Sequence, residues 1–455
     1  MLRFISGLAV LCMFILQAAA APLVSDVPGL TTQQLHSQYW LSGQQHDEVL
    51  LSAQQISERN RNTFAVQSEL QPLQNLPLSI SGEALKTIIN SVSAIPASAR
   101  FYADGTKLDA SDWQRYRQLL ALEAVKPDNP LQFALVVRRT AMRAFPTLDR
   151  VFNEQMNTDL DRFSETALFV AEPVAVLHQN KRLGWALVQS YHYTGWVQLA
   201  DIATGNREQI LQYSQKEPFI VTTGARVTTA YNPEVPAISE LALDMGIRLP
   251  LLSSATTGNK VYGQNPVASY IVQLPHRLDD GSLSLIPALI PRSADVSEGY
   301  LAFTERALLT QAFKFLGERY GWGHDYNGRD CTGFISEVFR SFGLLMPRNS
   351  GQQGKGHFGT NIRFDASSSE QDKRQALASL KIGDLLYFPG HVSMYLGQVD
   401  GVPYMIHDVN TLIYPTEQGM YHGTLNGVAV TPLMPLFANA QQSYLQALYT
   451  IKSLR

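Results

Sequence analysis

Apolar and polar positions repeat with different periods along the chain, and the changes of period divide it into units. Residues 26–130 read as mainly helical and polar. Their clearest helical stripe, over 111–125, places Trp113, Tyr116, Leu119, Leu120 and Leu122 near helical spacing, with Asp109 and Asp112 offering caps. From Leu131 the period shortens. Stretches at 133–139, 167–176, 185–193 and 195–199, broken by turn residues, predict a small β-barrel. A second β-rich region, 219–290, holds segments at 227–231 and 270–274 and predicts another barrel of similar size. Near Ser297 the order reverses, helices first and strands after. One helix is predicted over 298–320, with Leu301, Leu308, Leu309, Ala312, Phe313 and Leu316 on its apolar face. A loop over 321–330 leads to a second helix over 331–342, where Phe334, Ile335, Val338, Phe339 and Phe342 form the stripe and Gly343 the stop. Strands follow at 384–388, 391–397 and 404–408. The expected architecture is multi-domain: a helical segment (21–130), two barrels (131–205 and 206–296) and an α+β unit (297–455) with helices segregated from an antiparallel sheet.

The first residues follow another logic: Arg3, an apolar run over 4–16, then Ala18 to Ala21 ahead of Pro22. This is the layout of a secretory signal peptide (1–20) cleaved after Ala20. The competing reading is an uncleaved anchor, because the apolar run approaches the ~20 residues that span a bilayer. No later run is of that kind, so the mature form is expected off the membrane, periplasmic or secreted. With 45% hydrophobic and 16% charged residues over 455 positions, the chain can bury a large core. Basic residues number 36 against 39 acidic ones, a net charge of −3, which supplies no footprint for nucleic-acid phosphates. Of the two cysteines, Cys12 lies in the leader, so the mature chain keeps only Cys331. A lone thiol in an oxidising compartment has no disulfide partner and serves either as a small buried hydrophobe or as a nucleophile.

Cys331 stands at a predicted helix start, directly after Asp330, a capping residue type. Backbone N–H groups there favour thiolate over thiol. An inert thiol would instead join the stripe of Phe334 and Val338. Thiol catalysis also needs a base and a group to orient it. His391 opens a strand after Pro389-Gly390, and alternation sets His391, Ser393 and Tyr395 on the face opposite Val392, Met394 and Leu396. His407 lies on the next strand. If Asp400-Gly401 formed a two-residue turn, His407 would face Met394 and the two imidazoles would part. A three-residue loop of Val399, Asp400 and Gly401 would put His407 opposite Ser393, diagonal to His391 and within side-chain reach. The looser loop is the expectation.

The run Asp330-Cys331-Thr332-Gly333-Phe334, preceded by Tyr320-Gly321-Trp322-Gly323 and followed by His391-Val392 and His407, resembles the NlpC/P60 cysteine peptidases. Residues 297–455 look like that catalytic domain. Residues 143–147 and 195–197 look like the bacterial SH3 modules of one subgroup, whose helical stabilising segment residues 26–130 resemble in layout. The likeness implies a papain-like fold and hydrolysis of the γ-D-glutamyl to L-diamino-acid (diaminopimelate) bond of peptidoglycan stem peptides or released muropeptides. It implies Cys331 as nucleophile, His391 as base, His407 as orienter, Tyr320 beside the oxyanion, and Asp330, Thr332 and Trp322 as substrate-binding residues. In SH3-bearing relatives the residues flanking the nucleophile meet a free L-Ala amine, and the first SH3 module walls off that subsite; Tyr191 and Tyr193 are candidates for the wall, with barrel core the plainer reading of both. Thr332 stands where Ser is commoner, and His324 where a second glycine is usual.

No cofactor or metal is expected. Asp325, Asn327 and Asp330 resemble part of a calcium loop, but Ser336 occupies the position of the required glutamate. Arg348 reads either as a partner for a substrate carboxylate or as a solvated loop charge. Two other functions stay open: a thiol-dependent amidase or acyltransferase on the same scaffold, and a non-catalytic SH3 protein that holds peptidoglycan.

Overall fold

The computed structural model describes residues 23–42 and 45–455; the leader reading and Cys12 lie outside the described residues. Among the described residues no helix is long and apolar enough to cross a membrane. The N-terminal region carries helices Ala53–Val66, Gly82–Val92 and Ala110–Leu119. The last is the amphipathic run, capped by Asp109, whose carboxylate accepts the N–H groups of Ser111 and Asp112 while Asp112 reaches back to the Asp109 N–H. It stops short of the expected end because Ala121 takes a left-handed φ of 49°. Its Tyr116 is fully buried against Phe145 and Phe163 of the following β unit, so the stripe is core.

That β unit is one seven-stranded antiparallel sheet running from Gln132–Val136 to Ile202–Gly205. The stretch read as a single strand over 167–176 is two, Ser164–Leu168 and Pro173–Asn180, because the chain turns at Ala171 with φ 70°. Thr140–Arg143 is a further strand, concealed because it is only four residues long and follows Arg138-Arg139. The second β region is not one closed sheet. It divides into a three-stranded sheet of Arg248–Pro250, Phe219–Thr222 and Val296–Glu298, and two hairpins, Arg226–Thr228 with Ala242–Asp244 and Ser269–Arg277 with Leu283–Pro291. Because Val296–Glu298 belongs to that sheet, the helix expected from residue 298 begins only at Glu305, with Thr304 accepting the Ala307 N–H at 3.1 Å.

In the C-terminal unit the helix Cys331–Arg340 ends through Gly343, at φ 83°, whose N–H bonds the Arg340 carbonyl at 2.9 Å. It lays Phe334, Ile335 and Val338 against Val392, Met394 and Ile406 of a six-stranded antiparallel sheet. Each such side chain, fully buried, contributes about 1.5–3 kcal/mol. The sheet order is Thr360–Arg363, Thr450–Ser453, Leu385–Phe388, His391–Val399, Val402–Thr416, Gly419–Pro432. The last two strands form a hairpin far longer than the segment read over 404–408.

The hairpin tip corrects the expected loop. Val399 pairs with Val402, so Asp400 and Gly401, at φ 50° and 76°, form the two-residue turn. That turn alone would carry His407 to the wrong face. A bulge at Leu396 restores it: Gly397 pairs with Tyr404, but Tyr395 pairs with Met405 and Met394 with Ile406. Continued one step, this register sets His407 opposite Ser393, as the looser loop would have done.

Candidate active site

The His391 Nε2 and His407 Nδ1 atoms are 2.8 Å apart. On the far side of His407, Nε2 lies 2.9 Å from Thr431 Oγ1. His407 and Thr431 are both buried, and Thr431 sits on the strand Gly419–Pro432, diagonal to His407, whose direct partner is Ala429. Cys331 opens the helix that packs on the strand His391–Val399; it is 7% exposed, and the Val392 backbone N–H acts on its sulfur. Tyr320 is brought beside it by a bond from its N–H to the Asn426 carbonyl at 3.0 Å. Its phenol is pushed well up by burial, then by Cys331, Asp330 and Asp408.

The protonation states differ from the thiolate expected at a helix start. Burial, then the carboxyls of Asp330 and Asp408, push the Cys331 thiol up to about 12, against the Val392 N–H. Burial pushes His391 down to about 4 and His407 well below its ordinary range. The resting pair is therefore neutral thiol and neutral imidazole. Asp408, completely buried with no partner at either carboxyl oxygen, is held well up by burial and by Asp330.

Asp330 caps the helix through Oδ1, which accepts the Gly333 N–H and the Thr332 hydroxyl, both at 2.9 Å. Arg348 is neither a solvated charge nor free for substrate. It is buried, donating to Asp330 Oδ2 at 2.6 Å, to Thr332 Oγ1 at 2.6 Å and to Thr166 Oγ1 of the first β unit at 2.5 Å. With Arg348 beside it, Asp330 stays well below the usual carboxylate range despite its burial. His324 packs its ring where a Cβ on Gly333 would come within 2.5 Å of Nε2, so glycine is required there. Trp322 is half-buried, with the Arg162 guanidinium 4.8 Å from its ring centre. Tyr193 donates to Glu165 Oε2, and the Glu165 carbonyl meets Arg348 at 3.4 Å, so this corner of the first β unit abuts Asp330. Tyr191 instead packs its ring at a tilt on His192 and Phe64. Among the described residues no group of three or more His, Cys, Asp or Glu is placed to hold a metal ion.

The sequence reading singles out Cys331, His391, His407, Tyr320, Asp330, Thr332 and Trp322; the fold gathers the first six in one region, with Trp322 two residues on from Tyr320 and against Arg162. It missed Thr431 and Glu165. Thr431 was discoverable only once the partner strand was known, since its signal is the diagonal to His407. Glu165 carries no local motif.

Residues 317–429 match the NlpC/P60 family, and residues 146–198 match an SH3 domain of the SH3b1 type. A gamma-D-glutamyl-L-lysine dipeptidyl-peptidase of Bacillus cereus is 29% identical over 45% of this chain and 54% of its own length. A probable endopeptidase p60 of Listeria welshimeri is 38% identical over 20% of this chain and 16% of its own. The chain thus spans about half the length of the first relative and a small part of the second. A solved structure described as a novel NlpC/P60 endopeptidase from Photobacterium damselae subsp. piscicida superposes with a TM-score of 0.72 at 16% identity, covering 91% of this chain and 96% of that one, which shows a shared fold. By sequence match residues 317–429 form an NlpC/P60 domain and residues 146–198 an SH3 domain ahead of it, and the fold is shared with that NlpC/P60 endopeptidase structure.

Proposed function

We propose that this protein is a cysteine peptidase that hydrolyses the γ-D-glutamyl to L-diaminopimelate amide bond of peptidoglycan stem peptides outside the cytoplasm. The observation that carries the reading is the relay His391–His407–Thr431 beside a thiol at a capped helix start. With donors running from His391 Nε2 to His407 and from His407 Nε2 to Thr431, His391 keeps Nδ1 as an acceptor. That atom takes the Cys331 proton as sulfur attacks the amide carbon. The Cys331 backbone N–H and the Tyr320 hydroxyl face the resulting oxyanion. The proton passes to the leaving amine, and water, deprotonated by His391, cleaves the thioester.

Substrate binding falls to the corner where Asp330, Thr332, Trp322 and the first SH3 module meet. Asp330 and Glu165 bring two carboxyl groups to this corner, beside the guanidinium groups of Arg348 and Arg162, and a carboxylate suits the free ammonium of an N-terminal L-Ala. Tyr193 is the tyrosine placed to close that subsite. In this reading residues 21–130 brace the assembly, 131–205 form an SH3-like barrel, 206–296 a second SH3-like unit divided between a three-stranded sheet and two hairpins, and 297–455 the peptidase. The name of the Bacillus cereus relative supports the bond class.

The test is mass analysis of products from defined muropeptides. Wild-type protein should release a fragment ending in γ-D-Glu, and Cys331→Ala should release none. Products of acyl transfer, or cleavage at another amide, would replace this reading with the alternative thiol chemistry, and binding without products would leave a wall-binding module. Ala-γ-Glu-diaminopimelate with its amine acetylated should be cleaved at least tenfold more slowly than the free form, the loss expected when an ion pair worth about 1.4 kcal/mol is removed.

A further inference from the structure

Beyond residue 429, where the family match ends, the chain folds back over the imidazole pair. Strands Phe437–Asn439 and Gln442–Ser443 lead into a single helical turn, Tyr444–Ala447. Ser443 caps that turn in a reciprocal box with Gln446, and Lys373 donates to the Gln446 carbonyl at 2.7 Å, so the segment is tied at both ends. It presents one ring to the site. Tyr444 is 6% exposed; its ring centre lies 6.1 Å from that of His391, 6.2 Å from that of His407 and 4.7 Å from that of Phe388, on which it packs edge-on. Phe388 lies near parallel to His391 with ring centres 6.1 Å apart. Tyr444 and Phe388 thus form one contiguous aromatic surface beside the imidazole pair, and of the two only Tyr444 contacts both of its rings.

Resting on the peptidase reading above, we propose that Tyr444 is a positioning residue whose ring covers the His391–His407 hydrogen bond and keeps water from it. His391 is itself half-buried, so the ring that shields the bond decides how far water reaches it: shielded, the bond is stronger and holds the base in one orientation, whereas water admitted beside it would compete for both nitrogens. The part of Tyr444 that matters is the ring, which makes the contacts with Phe388, His391 and His407.

The experiment uses the full chain with 15N-labelled histidine. In the unmodified protein the imidazole N–H shared by His391 and His407 should exchange slowly with solvent, and in Tyr444→Leu quickly. Tyr444→Leu should lower kcat about 10- to 100-fold, part of the roughly 100- to 10,000-fold that a positioned acid–base group supplies, with little change in KM, and Tyr444→Phe should restore most of it. Solvent-rate exchange of that proton in the unmodified chain overturns the proposal without any substitution. Wild-type kcat in Tyr444→Leu, or equal loss in the Phe variant, overturns it too. A protected proton in a chain that cleaves no stem peptide keeps the cover and overturns the peptidase reading instead.

Discussion

At Cys331 two influences on thiol acidity oppose each other. The helix start and the Val392 N–H favour the thiolate; burial and the carboxyls of Asp330 and Asp408 oppose it and prevail, giving a value of about 12. Iodoacetamide at neutral pH should accordingly alkylate Cys331 more slowly than free cysteine, and faster labelling would count against a neutral resting thiol. The base behaves in the complementary sense. Burial disfavours the imidazolium of His391, so the neutral, proton-accepting form persists down to about pH 4, and kcat/KM should keep a working base through pH 5. The same shift has a stability cost. Because the folded state binds this proton later than the unfolded chain, stability should fall as pH drops from about 6.5 toward about 4, then level off. Urea titrations at several pH values, with His391→Gln as the comparison, check the slope.

The helix start depends on one carboxylate with two duties, capping Gly333 and neutralising Arg348. Removing it in Asp330→Ala should cost about 1 kcal/mol for the cap and a further 3–5 kcal/mol for a buried guanidinium left unpaired. Asp330→Asn keeps an acceptor for the cap and should lose less; denaturant midpoints of the two variants test the order. Elements of this kind were legible in the sequence because their signals are local. The stripe from Phe334 to Phe342, the Asp-Cys start and the Gly343 stop all lie within a few residues of one another. What escaped the sequence was non-local. The strand Thr140–Arg143 buries a single large apolar side chain, Met142, too little to mark an alternation, and the hairpin arm Gly419–Pro432 mixes Gly, Asn and His with its strand formers. The Leu396 bulge leaves no mark in the alternation on which register was judged. The expected pairing of His407 was right through a device other than the loop that predicted it.

Across the molecule, the units are joined by buried charge as well as by apolar packing. Arg139 of the first β unit donates to Asp244 Oδ1 of the second at 2.6 Å, and Arg329, just ahead of the nucleophile helix, reaches the same oxygen at 3.0 Å while holding Glu337 at 2.8 Å. Asp244→Ala would leave Arg139 without a carboxylate partner and take from Arg329 one of three, Glu318 and Glu337 remaining. It should lower the thermal midpoint and split one cooperative transition into separate melting of the β units and the peptidase unit, which calorimetry would resolve. The β hairpin offers a practical opening. Its solvent-facing tip at Asp400-Gly401 is separated from the imidazoles by the surplus residue Leu396, so irregularity introduced at the tip has a place to be absorbed before it reaches them. A short epitope or fluorophore grafted there should report on the protein in living cells while leaving its chemistry undisturbed.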